Sequence, residues 1–353
     1  MDVQKEPDVS ICLVNYNQKR WLESVFATIK KTEYGSYTIT FLDNSSDGSV
    51  AWVKENHPDV TAIDCPSNSG FAGGNNICIK NRKADYYVVH DMDIDHMDAL
   101  WLKKMIDKLE ENPKNGIAGG VIVPMHLKPK LDIAKVHEIL PSPMKAHMIS
   151  GSLMVVKQKV IEDIGLMDED YFIYWEETDF QYRALMKGYH VWYVNAPYWH
   201  FSGSSTNLRE QSKTTLFKKN KVVWQDDAGK LKPRGFYYYY RNELMFNLII
   251  YGNWRLLKGL GLLFLRTGYH STLKFHPAKV KAMWDSWKYI FQNRKKILSK
   301  RKDVQSTRIV GDREIEDLRK AKNVVSHKLD AYYKQVEAEL IKEEAPLERT
   351  FYH

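Results

Sequence analysis

Residues 89–95 read VHDMDID and follow directly on the apolar run Tyr86, Tyr87, Val88 and Val89. A run of β-branched and aromatic residues predicts a strand, and Asp91, Asp93 and Asp95 then fall at every second position. Side chains two apart on an extended chain share a face, so the carboxylates repel one another unless something positive sits between them. A divalent cation is the first candidate. A helix-loop-helix calcium loop also opens D-x-D-x-D, but it needs Gly at its sixth place and a bidentate Glu at its twelfth. Here those places hold His96 and Leu102, and an apolar strand stands where that motif wants a helix. The competing reading is turn and cap chemistry, with Asp98 as an N-cap ahead of Ala99-Leu100-Trp101-Leu102.

Working outward, short β-rich runs alternate with helical patterns from residue 9 to about 123, the signature of a mostly parallel sheet with helices on its faces. Strands are predicted near Val9–Val14, Thr38–Leu42, Thr61–Asp64, Tyr86–Val89 and Ile117–Val123, with helices near 19–31, 49–56, 72–82 and 98–111. Ligands of such sheets bind outside the carboxyl ends of the strands. The residues there are Asn15-Tyr16-Asn17, Asp43 to Ser49, Pro66 to Gly70 and the aspartates, all polar. Neither Gly-rich phosphate cradle, G-x-x-x-x-G-K-[ST] or G-x-G-x-x-G after the first strand, is present, so binding a phosphate calls for a metal. Gly70, Gly73 and Gly74 fit close helix packing or a tight turn.

A second region, about 124–205, contains GLMDEDYFIYWEETDFQYRALMKGYHVWYVNAPYWH. The segment after Trp175 reads as a helix, with Phe180, Ala184 and Leu185 on one side and Gly188 closing it. Glu176, Glu177 and Asp179 then occupy the first turn, where acidic residues complement the helix dipole. Asp179 and Arg183 are spaced as an ion pair. The functional alternative makes one glutamate a general base on a rigid helix end, beside a Trp175 ring on which a sugar can stack. Spacing does not choose between Glu176 and Glu177. His200, ending an aromatic run, is either a metal ligand or a packed, bridging histidine.

With 353 residues and 44% apolar content the chain is globular and large enough for one big domain with an appendage, or for two. Cys12, Cys65 and Cys78 lack paired or metal-ligand spacing and read as buried, reduced thiols of an intracellular protein. The opening MDVQKEPDVS has no charged-then-apolar leader, and no apolar stretch reaches the ~20 residues of a spanning helix, so the chain is expected to stay where it is made. Lys and Arg outnumber Asp and Glu by 52 to 44, mostly late in the chain, which suits a nucleotide, a nucleic acid or an acidic membrane surface. From residue 234 onward apolar stretches are broken by Asn247, Asn253, Arg255 and Lys258, with Trp254 and tyrosines interleaved. Two readings stand: helices lying in a membrane interface, aided by Arg294-Lys295-Lys296 and Lys300-Arg301-Lys302, or a helical lid on the preceding region. In the tail, Ile315, Leu318, Val325, Leu329, Tyr332 and Val336 form one stripe, for a hairpin, a coiled coil or packing within the chain.

Together, VNYN (14–17), DNSSDGS (43–49), NSGFAGGNN (68–76), Asp91-Met92-Asp93 and residues 168–194 resemble, in order, the inverting family 2 glycosyltransferases. The acidic helix start after Trp175 and the later YWH (198–200) are most similar to the rhamnosyl- and galactofuranosyltransferase branch. The resemblance covers about residues 8–205. It implies an α/β fold of the A type (GT-A), a Rossmann-like, mostly parallel sheet flanked by helices, followed by a C-terminal α-helical region. Residues 1–123 would bind the nucleotide sugar, 124–230 the acceptor, and 231–353 would form the helical region. Asp43 would contact the nucleoside base, Asn15 would line its pocket, and Asp91 and Asp93 would meet ribose and a metal-bridged diphosphate. Asp93 and His200 would hold Mg2+ or Mn2+, Glu177 would be the base, and Glu176 and Trp175 would face acceptor or sugar. Glu177 stands where the family more often has Asp, and Asp95 has no family role. The implied partners are a nucleoside-diphosphate sugar and a glycan or lipid-linked acceptor, with no nucleic acid. A peripheral, cytoplasmic place on the cell membrane and homo-oligomers through the C-terminal helices are the associated expectations. The rivals are a nucleotidyltransferase, whose nucleophile attacks phosphorus, and a non-catalytic basic adaptor.

Overall fold

The computed structural model describes residues 6–140, 143–201, 231–272 and 276–343, with backbone alone at 270–272 and 342–343. The expected boundary at residue 230 and the stretch 202–205 lie outside the described residues. The strands are β1 (Val9–Asn15), β2 (Tyr37–Asp43), β3 (Thr61–Asp64), β4 (Tyr86–His90), β5 (Ile94–His96), β6 (Asn115–Pro124), β7 (Met144–Ala146), β8 (Leu153–Lys157) and β9 (His190–His200). The helices are α1 (Leu22–Lys30), α2 (Ser49–Asn56), α3 (Gly70–Asn81), α4 (Trp101–Glu110), α5 (Ile133–Ile139), α6 (Gln158–Ile164), α7 (Glu176–Met186), α8 (Pro233–Ile250), α9 (Asn253–Thr272), α10 (Pro277–Gln292), α11 (Arg294–Ser306) and α12 (Asp312–Glu343).

The sheet runs β3-β2-β1-β4-β8-β6-β9-β5, with β7 pairing β9. Strands β3, β2, β1 and β4 are parallel, and β8 runs antiparallel to β4 and β6. The expected fold class holds: an α/β sheet flanked by helices, parallel in its first half and mixed in its second, with a C-terminal helical region. Strands β1 and β4 are mostly apolar and buried almost throughout, as strands covered by helices on both faces of a sheet are. The chain steps outward from β1 to β2 and β3, then returns to β4 on the other side of β1. That reversal opens a crevice at the carboxyl ends of β1 and β4, the place where open α/β sheets bind ligands.

Strand β4 ends at His90 and a turn follows, so the two-residue alternation through Asp95 is broken. Asp91 precedes that turn and Asp93 lies in it, whereas Asp95 sits on β5 opposite Trp199, with Lys128 4.0 Å away. Three carboxylates on one face is therefore not what forms. Asp98 is not the cap residue either: α4 starts at Trp101, and Asp98 accepts from the Leu100 amide in a turn before it.

The apolar core on one side of the sheet continues from β6, β9 and α7 into Tyr240, Leu244 and Phe246 of α8, Met283 of α10 and Ile315 and Leu329 of α12. The tail stripe is used within the chain: Val336 is buried, and the Tyr333 hydroxyl donates to the Ile122 carbonyl. Cys12 and Cys78 are buried thiols, and Cys65 is half-buried.

Candidate active site

Two backbone arrangements bring His200 to the aspartates 107 and 109 positions earlier. Ile94 pairs with His200 where β5 runs antiparallel to β9, and the Phe201 amide donates to the Asp93 carbonyl (3.0 Å). The Asp91 amide in turn donates to the Ser152 carbonyl (2.8 Å). The His200 Nε2 then lies 3.4 Å from an Asp93 carboxylate oxygen and 3.8 Å from one of Asp91. Burial pulls the imidazole pKa down, but the hydrogen bonds and charges of the two aspartates outweigh it and raise it to about 9. Burial also raises Asp91, aided by the charge of Asp93 and opposed by His200.

One ligand atom from each of Asp91, Asp93 and His200 lies within 4.8 Å of the others, a set able to hold a metal ion. Two carboxylates and one imidazole suit a hard divalent cation such as Mg2+ or Mn2+. In a cation's place, His200 carries the positive charge that the aspartates require. Next to them in sequence are two histidines that sequence reasoning passed over, His90 buried and His96 half-buried. His90 and His96 face each other with Nε2 atoms 2.9 Å apart, and His96 stacks on Trp101 at 4.0 Å. Burial lowers both, His90 to about 4, so this pair is neutral at pH 7 and backs the site without adding charge.

Asp91 and Asp93 open onto a cavity of about 380 Å³ at the strand ends, lined also by Val14, Tyr16, Asn44, Asn68 and Gly70. The predicted rim of polar loops is thus the wall of one pocket. Lys232, Arg234 and Tyr238, from the start of α8, line it as well, and no periodic pattern in the sequence points to them. Asn15 and Asp43 lie behind the wall. Both are fully buried, Asn15 Nδ2 donates to Asp43 (2.8 Å), and the same Asp43 oxygen accepts from the Ser45 amide and hydroxyl. They shape the loops whose neighbours Tyr16 and Asn44 face the cavity.

The acid pair stands on the first turn of α7, as the helical pattern predicts, and Gly188 closes that helix in the left-handed region. Asp179 and Arg183 do pair, but inside the protein: Arg183 Nε donates to Asp179 (2.7 Å) and its other nitrogens to the Ile164 and Leu166 carbonyls. Glu176 is buried, and its Oε2 has no hydrogen-bond partner among the described residues. Burial and the charge of Glu177 push its carboxyl well above the usual range. Burial also raises Glu177, with a contribution from Asp91, against the pull of the Glu177 and Thr178 amides. Both glutamates thus sense Asp91, which links the acid pair electrostatically to the Asp91–Asp93–His200 cluster. Glu177 packs over Gly151, where a Cβ would come within 3.0 Å of its Cγ.

The loop before α7 is strained. Phe172, Tyr174 and Trp175 all have positive φ, a region that costs a bulky residue on the order of 1–3 kcal/mol. The C-terminal helices hold it there. Asn242 Nδ2 of α8 points at the carbonyls of Tyr171, Ile173 and Tyr174 at 2.7–2.8 Å, and Arg241 Nη2 donates to those of Asp170 and Tyr171. Lys300 of α11 pairs with both Asp168 and Asp170, and Lys296 with Asp170. The Trp175 ring packs on Phe246 and Tyr239 of α8, at 5.1 and 5.7 Å. The Phe172 carbonyl accepts from the Phe71 amide, and Gly70 fits there because a Cβ would lie 2.4 Å from that oxygen. The lid reading of the C-terminal region is therefore realised by α8 and α11.

Residues 10–165 match the model of Glycosyl transferase family 2. The low-salt glycan biosynthesis hexosyltransferase Agl10 of Haloferax volcanii is 27% identical over 201 residues, covering 52% of this chain and 64% of its own length. The match thus spans less than two thirds of that relative. Among solved structures, the mannosyltransferase PcManGT from Pyrobaculum calidifontis, in complex with GDP-Man and Mn2+, superposes with a TM-score of 0.48 at 14% identity over 86% of each chain. S. aureus TarS 1-349, in complex with UDP, gives 0.49 at 14% identity over 95% of this chain and 92% of its own. The family match covers β1 to β4, the aspartate turn and the strand-end loops that wall the cavity, so residues 10–165 are similar to a Glycosyl transferase family 2 domain.

Proposed function

We propose that this chain is a metal-dependent, inverting glycosyltransferase that moves a hexosyl group from a nucleoside-diphosphate sugar to an acceptor hydroxyl. One observation carries the reading: Asp91 and Asp93, clustered with His200, line a cavity at the β1/β4 switch point, and the charge of Asp91 raises both carboxyls of the acid pair on α7. Its volume falls in the range of small-molecule sites.

The nucleoside end of the donor lies along the loops after β1, β2 and β3, shaped by Asn15 and Asp43. Asp91 and Asp93 face the ribose and diphosphate, and Lys232 and Arg234 bring positive charge to the same cavity. A divalent cation on Asp93 and His200, with Asp91, supplies Lewis-acid neutralisation of the departing diphosphate when bound. Glu177 takes the proton of the acceptor hydroxyl as its oxygen attacks the anomeric carbon from the face opposite the diphosphate, which inverts that centre. A carboxylate raised by burial is a better base near neutral pH than an exposed one. Glu176, whose carboxyl is pushed well up by burial and by the charge of Glu177, stands beside it toward the incoming sugar or acceptor.

The acidic helix start and YWH support dTDP-rhamnose or UDP-galactofuranose as donor. A relative named for glycan biosynthesis supports a growing cell-surface glycan, lipid-linked, as acceptor. The test is a panel of nucleotide sugars incubated with the purified protein and Mn2+ or Mg2+. Metal-dependent release of a nucleoside diphosphate is expected. Release of pyrophosphate would place the attack on phosphorus and favour a nucleotidyltransferase, and turnover of no donor would overturn the reading.

A further inference from the structure

Helix α9 is apolar on both sides. Its inner face is held to α8: the Tyr240 hydroxyl donates to the Leu263 carbonyl and bonds Thr267, and Arg266 pairs with Glu243. Its outer face carries Trp254, Leu257, Leu262, Phe264, Leu265 and Tyr269. Trp254 is 81% exposed, Leu265 69% and Leu257 65%, in a chain whose other apolar side chains are mostly buried. Single exposed apolar residues need no explanation, but a contiguous helix face of them marks a docking surface.

A second stripe adjoins it, since Phe264 meets Trp287 of α10 at 6.5 Å. Along α10 and α11, Trp284, Lys288, Phe291, Lys295, Leu298 and Lys302 follow one another at alternating spacings of four and three, and all are exposed. That spacing keeps Trp284, Lys288 and Phe291 on one side of α10 and Lys295, Leu298 and Lys302 on one side of α11, with apolar and cationic residues alternating on each. From Trp254 to Lys302 the sequence has thirteen Lys and Arg against a single carboxylate, Asp285. A shallow cleft of about 480 Å³ lies at the edge of this surface, between Asn253 beside Trp254 and Leu298, and is lined by Arg301 and Lys302.

We infer that α9 with the outer stripe of α10 and α11 is a docking surface for an anionic lipid bilayer, on which α9 lies in the plane of the interface. The charge selects this occupant. A symmetric contact between two copies of this face would set the same basic residues against each other. A nucleic acid would satisfy the charge but leave Leu257, Leu262 and Leu265 in water. Exposed Trp, Tyr and Phe between lysines match the interfacial zone, where aromatic rings and cations sit at headgroup level. No helix among the described residues is long and apolar enough to cross a membrane, so the contact is in-plane.

The test is flotation of the full-length protein with vesicles of phosphatidylcholine alone or with 30% phosphatidylglycerol, without donor or acceptor. It therefore succeeds or fails separately from the catalytic proposal. Binding to the anionic vesicles is expected, weakening as salt rises. Each lysine is worth roughly fivefold in partitioning, so K288Q/K295Q/K302Q should lower it about a hundredfold. W254S/L265S should lower it at least tenfold and reduce the blue shift of tryptophan emission on binding, leaving the share that comes from Trp284. Unchanged melting temperatures and far-ultraviolet circular dichroism show that the variants are folded. Absence of binding, binding that ignores both sets of substitutions, or a concentration-dependent dimer that W254S/L265S dissolves would each overturn the inference, the last in favour of a second copy.

Discussion

Replacing Asn242 with Asp tests whether α8 belongs to the catalytic machinery. The change keeps the side-chain shape and removes the donors, so the Tyr171, Ile173 and Tyr174 carbonyls lose their shared partner at 2.7–2.8 Å and face an acceptor instead. A net loss of about 1 kcal/mol per hydrogen bond, plus the cost of carbonyls left unpaired, gives roughly 2–4 kcal/mol. The three positive-φ residues, Phe172, Tyr174 and Trp175, then relax out of their strained conformation, and the first turn of α7 moves with them. A displacement of about 1 Å at a reacting group costs on the order of 10²-fold in turnover. The expected result is therefore a kcat lowered about a hundredfold for nucleoside diphosphate release, and a urea-unfolding free energy lowered by 2–4 kcal/mol, measured well below the melting temperature. Asn242→Ala should match it, because the donors and not the volume are at issue. A variant that unfolds more easily yet turns over at the parental rate would refute the reasoning, since the clamp would then be stabilising without positioning Glu177.

Glu177→Gln should lower turnover ~10²- to 10⁴-fold without lowering the melting temperature, because burial already penalises the carboxylate there; parental turnover would exclude Glu177 as the base. His200, at about 9, is protonated at pH 7.5, so Mn2+ must displace about one proton on binding. Calorimetry in buffers of different ionisation enthalpy counts it, and His200→Gln should abolish the release. Buried His147 is pushed down to about 3 by its burial, then by the charges of Lys322 and Arg319. The unfolded imidazole titrates near 6.5, so between 6.5 and 3 the unfolded chain binds a proton that the folded one refuses, and stability falls with pH. From pH 7 to 4.5 this amounts to about 2–3 kcal/mol, and His147→Leu should flatten the acid limb of a urea-unfolding profile by that much.

What the sequence made legible followed from local periodicity. The strands and helices of the first half, the polar strand ends and the acidic first turn of α7 are all set by neighbours within one or two turns of chain. Asp95 was grouped with Asp91 and Asp93 because strand periodicity was extended through a turn whose backbone does not alternate. The union of His200 with the aspartates needs the antiparallel register of Ile94 with His200, which no local pattern contains; only the family resemblance pointed to it. The clamp was invisible for a different reason. Asn242 binds backbone carbonyls 68 to 71 positions away, and a carbonyl has no residue identity to read.

Helix α8 joins three functions through its own geometry. Arg234 and Tyr238, four apart, line the cavity, and Arg241 and Asn242, one turn on, hold the loop before the acid pair. Tyr240 and Glu243 face α9 and carry the helix whose outer surface is exposed and apolar. Residues four apart share a helix face, and a shift by one position rotates every side chain by about 100°. A single-residue insertion between Tyr238 and Asn242 would therefore leave Arg234 and Tyr238 in the cavity while turning Asn242 away from the loop and breaking the register with α9. Donor binding would survive such an insertion, whereas turnover and attachment of α9 would be lost together. That pattern separates a helix acting as one rigid connector from one whose contacts are independent.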